Sequence, residues 1–133
     1  MKMYQTKKIH YKAIFKQNEE TETIEYKAKG ILYKDKQTQV SFETKEGTIC
    51  MTYSQEEVLL SHGHSQLQFH FDKPTWNDYQ LPYGSVPLKT NLLKFEANDE
   101  RIKMKYELHD QGGLISNVYL MMNLISDSFQ EDI

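Results

Sequence analysis

Apolar side chains recur at every second residue through nearly the whole chain. The pattern is cleanest near the end, where Leu114, Ser116, Val118, Leu120, Met122 and Leu124 share one parity. Successive side chains of an extended strand point to opposite faces, so period two predicts a half-buried sheet where a period of 3.6 would predict a helix stripe. The 133 residues are therefore expected to form one all-β domain, 1–133, with residues 126–133 as a frayed tail.

Strand candidates follow one another with short polar breaks. The first is Lys8 to Gln17, with Ile9, Tyr11, Ala13 and Phe15 alternating against His10, Lys12, Ile14 and Lys16, and the second is Glu22 to Lys34, with Ile24, Tyr26, Ala28, Gly30 and Leu32 on one face. Gly30 inside such a long strand reads as a bulge or a sharp bend at a barrel corner. Thr38 to Glu43, Thr48 to Tyr53, Glu57 to Ser61 and the alternating Gln66 to Phe71 follow at hairpin distances. Thr75 to Gly84 has no clear period and reads as a loop with a short strand. Ser85 to Glu96, with Pro87 at an edge or bulge, then Ile102 to Leu108 and the last strand complete the series. Eight to ten antiparallel strands joined by tight turns suit an up-and-down barrel better than a sandwich, which needs long crossing connections.

Composition narrows the function classes. Net charge is −3, and of the sixteen basic residues only Arg101 is arginine. Arginine supplies the planar fork for bidentate phosphate and base-edge contacts, so no nucleic-acid partner is expected. The longest apolar run, Val118 to Met122, is far short of a membrane span, and no signal-peptide stretch follows Met1. Cys50 is the one cysteine, which rules out an intramolecular disulfide and suits a reducing compartment. The expectation is a cytoplasmic protein without membrane attachment.

Tyr79, Gln80, Leu81, Pro82, Tyr83 and Gly84, followed by Leu88, Lys89 and Thr90, carry a resemblance to the YwiB-like family of small uncharacterised bacterial proteins. It extends to Gly30–Tyr33 ahead of Ser41, Phe42 and Glu43, to Val58–Gly63 with Phe69, and to Tyr106–Leu108 before the glycine pair and Leu114. Leu81 and Ser61 depart from the threonine and arginine that the family often shows there. The resemblance implies a calycin-like, lipocalin-like β-barrel and no assigned activity. The lipocalin glycine-x-tryptophan signature near the first strand is missing, so lipocalin function does not come with the fold.

A barrel of about eight strands is wide enough to be filled by its own side chains or to hold one small ligand. Trp76, Tyr79, Tyr83 and Tyr106 are the candidate ligand-binding residues, as aromatic bodies with polar tips at the mouth and wall of a pocket. The competing reading is that they plug the barrel end and pin the loop. The ligand class is a small apolar or amphipathic molecule, with no cofactor.

His62, His64, His70 and Asp72 share one parity, but Gly63 twists the turn between them and His64, Gln66, Gln68, His70 and Asp72 read as a solvated strand face, so no metal site is expected. Cys50 has no base pairable with it from sequence and reads as a quiet, partly buried thiol. With no paired carboxylates visible either, no enzyme is expected. Lys12, Lys16, Lys27 and Lys29 form an outward face broken by Glu25 and capped by Glu19, Glu20 and Glu22, a mixed-charge solvated surface. The second face of the last strand carries Ile115, Tyr119, Met121 and Ile125. Its expected cover is the N-terminal segment, a neighbouring sheet or a second copy, the last giving a homodimer through that strand. The rival to ligand binding is thus a structural or protein-interaction module with a solidly packed barrel and a working outer face.

Overall fold

The computed structural model describes residues 3–126, and they are all-β. Ten strands run β1 (Met3–Gln17), β2 (Glu20–Lys34), β3 (Thr38–Thr44), β4 (Gly47–Tyr53), β5 (Glu57–His62), β6 (Ser65–His70), β7 (Thr75–Leu81), β8 (Gly84–Ala97), β9 (Arg101–Asp110) and β10 (Gly113–Ser126). Among these residues no helix is long and apolar enough to cross a membrane, which says nothing about a β-barrel. The expected tail lies outside the described residues except for Ser126, which ends β10 opposite Lys7.

All ten strands belong to one antiparallel sheet in the order β6-β5-β4-β3-β2-β1-β10-β9-β8-β7, curled into a nearly closed barrel. This is the all-β barrel that the alternation predicts. Every neighbouring pair is a hairpin except β1 with β10, whose register runs from Lys7↔Ser126 to Lys16↔Asn117. Inward parity collects Ile9, Leu32, Val40, Met51, Phe69, Ile102 and their neighbours into one buried cluster, so burial of apolar surface drives the closure.

Gly30, read as a bulge or a sharp bend, carries no bulge and marks a close approach. Its register is unbroken on both sides, Lys7↔Gly30 and Gly30↔Phe42. A Cβ at this position would collide with the Ser41 carbonyl oxygen and the Ile9 Cδ1 methyl, and would stand 3.0 Å from Phe42 Cβ. The missing side chain lets Ile9 fill the corner.

Two register shifts occur elsewhere. On β10 the extra residue is Ile115, because Leu114 faces His109 and Ser116 faces Leu108. Leu114 is thereby turned out to solvent at 53 % exposure, which corrects its placement on the inner face with Ser116 to Leu124. On β8 the shift lies between Leu92 and Lys94 and leaves Leu93 outside at 49 % exposure. Pro87, expected at an edge or bulge, pairs with Asp78 of β7 and lies ahead of the first β8–β9 pair, Lys89↔His109, so its missing N–H interrupts no ladder there.

Thr75 to Leu81, read as irregular from the sequence, is a full strand with Thr75, Asn77, Tyr79 and Leu81 on one parity and Trp76, Asp78 and Gln80 on the other. Its hydropathy alternation is scrambled because the polar residues of the inner parity close the barrel. Among the described residues β6 and β7 share no backbone ladder. Instead the Asn77 side-chain amide acts as a substitute peptide: Gln68 N–H donates to Asn77 Oδ1 at 2.8 Å, and Asn77 Nδ2 donates to the Gln68 carbonyl at 3.2 Å. The buried Thr90 hydroxyl donates to the same carbonyl at 2.6 Å, and Ser65 Oγ donates to the Gln80 carbonyl at 2.7 Å. Thr90 ends the motif on which the resemblance rests, and here its hydroxyl helps to hold the seam.

Candidate functional site

Strand parity and hairpin placement divide the barrel into two unlike ends. At the end where β2 turns into β3 and β8 into β9, aromatic rings close the interior. Tyr53 meets Phe95 edge-on at 5.2 Å between ring centroids, and Phe71 lies 5.7 Å from Phe95. At the opposite end, beneath the β1–β2, β3–β4 and β5–β6 turns, the interior holds a cavity of about 270 Å³. Its wall combines apolar side chains such as Phe15, Leu67, Leu88 and Leu108 with four tyrosines, Tyr11, Tyr26, Tyr79 and Tyr106, and its rim carries Ser61, His62 and Ser65.

The four tyrosines come from β1, β2, β7 and β9. Tyr106 is 2 % exposed, its ring edge-on to Phe69 at 4.7 Å, and Tyr11 is 8 % exposed against Tyr26 and Phe42. Neither hydroxyl has a hydrogen-bond partner among the described residues. Buried phenols ordinarily find one, and an unpaired buried hydroxyl costs about 1–3 kcal/mol. Burial pushes the Tyr106 phenol far above its ordinary pKa, and the neighbouring Tyr11 and Tyr79 raise it further. Burial also dominates the upward shift of Tyr11, with Tyr26 and Tyr79 adding to it. The phenols therefore stay neutral near pH 7, each with a proton to donate. At the rim His62 Nε2 lies 3.3 Å from Thr44 Oγ1, and its ring stands edge-on to Tyr26.

Of the four residues singled out in the sequence, the structure brings two together. Tyr79 and Tyr106 line the cavity, whereas Trp76 and Tyr83 do not. Trp76 points outward, 55 % exposed, with the Lys89 ammonium 5.7 Å from its ring centre, and borders an open groove between β7, β8 and the β9–β10 turn. Tyr83 sits in the β7–β8 turn at 86 % exposure. Tyr11 and Tyr26 were the residues sequence reasoning missed. Their inward parity was legible, but apolar alternation gives no sign that they share a cavity with tyrosines 53 to 95 residues away.

The histidines part company at the two-residue turn of Gly63 and His64. Register His62↔Ser65 keeps His62 on the cavity side, while His70 stands opposite Glu57 on the outer face, with its Nδ1 2.6 Å from Thr75 Oγ1. Cys50 is outward and half-buried; burial pushes its thiol up, with a lowering contribution from Thr52, whose hydroxyl lies 3.9 Å away. Few thiolates form there at neutral pH.

A nearly closed antiparallel barrel with a small, tyrosine-rich interior cavity defines the class of protein. The model of the domain of unknown function DUF1934 matches residues 9–122, and the chain belongs to this family. The crystal structure of the ywiB protein from Bacillus subtilis has a similar fold, with a TM-score of 0.71 at 22 % sequence identity, covering 91 % of this chain and 92 % of that one. Together they bear out the YwiB-like resemblance seen in the sequence. Comparison with curated proteins gives no match.

Proposed function

We propose that this protein binds a small, partly apolar molecule inside its barrel and does so without catalysis. The observation that carries the reading is the roughly 270 Å³ cavity walled by apolar side chains and tyrosine hydroxyls. An apolar space of about 150 Å³ already accepts a benzene-sized guest, and binding sites characteristically combine apolar walls with a few convergent polar groups. Tyr79 and Tyr106 are the contacts retained from the sequence, and Tyr11 and Tyr26 join them. The experiment is native mass spectrometry of protein purified gently from its own host. A reproducible extra mass of a few hundred daltons or less, released on denaturation and lost when Leu88→Trp fills the cavity, supports the reading. Bare protein in every preparation, with no small molecule taken up from a host extract, overturns it.

The second reading, an interaction module working through its outer face, draws support from charge. Across β2, β1, β10, β9 and β8 the outward register sets Lys27 beside His10, Lys12 and Lys103 on either side of Met121, and Lys105 between Tyr119 and Lys94, with Arg101 next to Asn123. Glu25, Glu96 and Glu107 interrupt it. An acidic chain thus gathers much of its positive charge on one side, which favours an anionic partner. A homodimer through β10 would set these lysines against their own copies, since an isologous interface pairs each patch with itself. Sedimentation equilibrium at low salt tests it: the charge argument expects a monomer, and a dimer that persists there counts for the homodimer.

A further inference from the structure

The reading above concerns a cavity without naming its occupant, and the lining says more. Resting on that reading, we infer that the ligand is an uncharged molecule of about single-ring size bearing an acceptor for a hydrogen bond from the Tyr106 hydroxyl.

Three observations converge. The first is the pair of buried phenols. Tyr106, 2 % exposed, and Tyr11, 8 % exposed, both line the cavity, and neither hydroxyl meets a protein acceptor among the described residues. A buried donor whose surroundings offer no protein acceptor is satisfied by what enters the cavity. The second is what the wall is made of. Among the described residues no lysine, arginine, aspartate or glutamate lines the cavity, and the ionisable side chain other than the tyrosines is His62 at the rim. An ionised ligand would shed its hydration with no lysine, arginine or carboxylate in the described wall to meet it, whereas a carbonyl or ether oxygen needs only a donor. The third is size. About 270 Å³ fits a substituted ring or a short branched chain and excludes long acyl chains, because the other end is closed by Tyr53, Phe71 and Phe95.

The phenols also fit this role by staying protonated. Each raises its neighbours' reluctance to ionise, so the cluster presents donors and no negative charge near neutral pH.

The test uses three probes of nearly one shape: acetophenone, which carries the acceptor, ethylbenzene, which lacks it, and benzoate, which is charged. Affinities are measured by NMR titration of the full-length protein and of Tyr106→Phe. Acetophenone is expected to bind at least tenfold tighter than ethylbenzene and than benzoate. In Tyr106→Phe the acetophenone advantage should fall to within twofold, with ethylbenzene unchanged. Tyr11→Phe serves as a second variant, expected to keep at least half of the advantage on a logarithmic scale. A [4-13C]tyrosine label reports directly, since the Tyr106 Cζ resonance should move with acetophenone and stay put with ethylbenzene. Equal affinity for acetophenone and ethylbenzene, a preference for benzoate, or an acetophenone advantage untouched in Tyr106→Phe overturns the inference while leaving the cavity reading intact. Failure of all three probes at millimolar concentration, with Leu88→Trp indistinguishable from the parent, removes the cavity reading itself.

Discussion

Replacing Asn77 with leucine removes the one side chain that stands in for a backbone pair across the seam of the barrel. In the native protein its amide accepts from Gln68 N–H at 2.8 Å and donates to the Gln68 carbonyl at 3.2 Å. Leucine is close in size and makes neither bond. The carbonyl keeps the Thr90 hydroxyl at 2.6 Å, so the lost donation there costs about 1 kcal/mol, while the half-buried Gln68 N–H is left unpaired at about 1–2 kcal/mol. The sum is about 2–3 kcal/mol. With an unfolding entropy of about 2 cal/mol/K per residue, each kcal/mol lowers Tm by about 4 °C for a chain of this length, giving a loss of about 8–12 °C. Thermal unfolding followed by circular dichroism gives the size of the effect, and hydrogen exchange gives its place: the Gln68 amide should exchange at least tenfold faster while core amides such as that of Leu120 lose only global protection. Trp76→Ala, next door but outward-facing, is the control and should shift Tm by less than 2 °C. If Asn77→Leu melts within 3 °C of the parent and the Gln68 amide stays protected, β6 and β7 are held by something other than this side chain, and the account of closure is wrong.

Further outcomes follow from the same physics. Gly30→Ala should cost about 3 kcal/mol or abolish folding, since its Cβ meets the Ser41 carbonyl and Ile9 at a spot where backbone cannot yield; a melt within 4 °C of the parent would refute the close approach. Tyr106→Phe removes a hydroxyl that meets no protein acceptor among the described residues, so ligand-stripped protein should melt within about 4 °C of the parent; a larger fall would mean that the protein itself holds this hydroxyl. Tyr11 and Tyr106 have folded-state pKa values raised above the ordinary 10.0, so the folded state holds more protons than the unfolded one at alkaline pH. Stability from these groups is fully present below pH 10 and is lost above it, by about 2.7 kcal/mol per pH unit for the two together. Denaturant melts between pH 8 and 11, with tyrosinate absorbance, check this; two tyrosines should ionise only on unfolding, and a flat stability profile would count against their burial. Glu107, held below the usual carboxylate range by hydrogen bonds from Asn91 and then His109, acts at the other extreme: its contribution is present above about pH 4.5 and is lost as the pH falls below it. Glu107→Gln should flatten that acid limb, and an unchanged acid limb would sink the assignment.

Alternation made β1 through β6, β8, β9 and most of β10 legible, because whether a side chain faces in or out depends only on its own strand. The same reasoning failed wherever a longer-range bond altered the local code. Thr75 and Asn77 sit on an inward parity yet are polar, since Asn77 supplies the hydrogen bonds that β6 and β7 lack from each other, and so β7 read as loop. Ile115 is one extra residue that resets the parity of everything before it, and Leu114 moved from core to solvent with no mark in composition.

By itself, the order of residues determined the strand class, the positions of most turns, the inward residues of the regular strands and the family resemblance, all of which follow from steric preferences and hydropathy within a few neighbours. The tertiary structure alone decided which tyrosines meet. Tyr11, Tyr26, Tyr79 and Tyr106 share one cavity because β1 pairs with β10 across more than a hundred residues and because the seam between β6 and β7 brings the two ends of the sheet together. Cross-strand register is fixed by closure of the whole sheet, and that is a property of every strand at once.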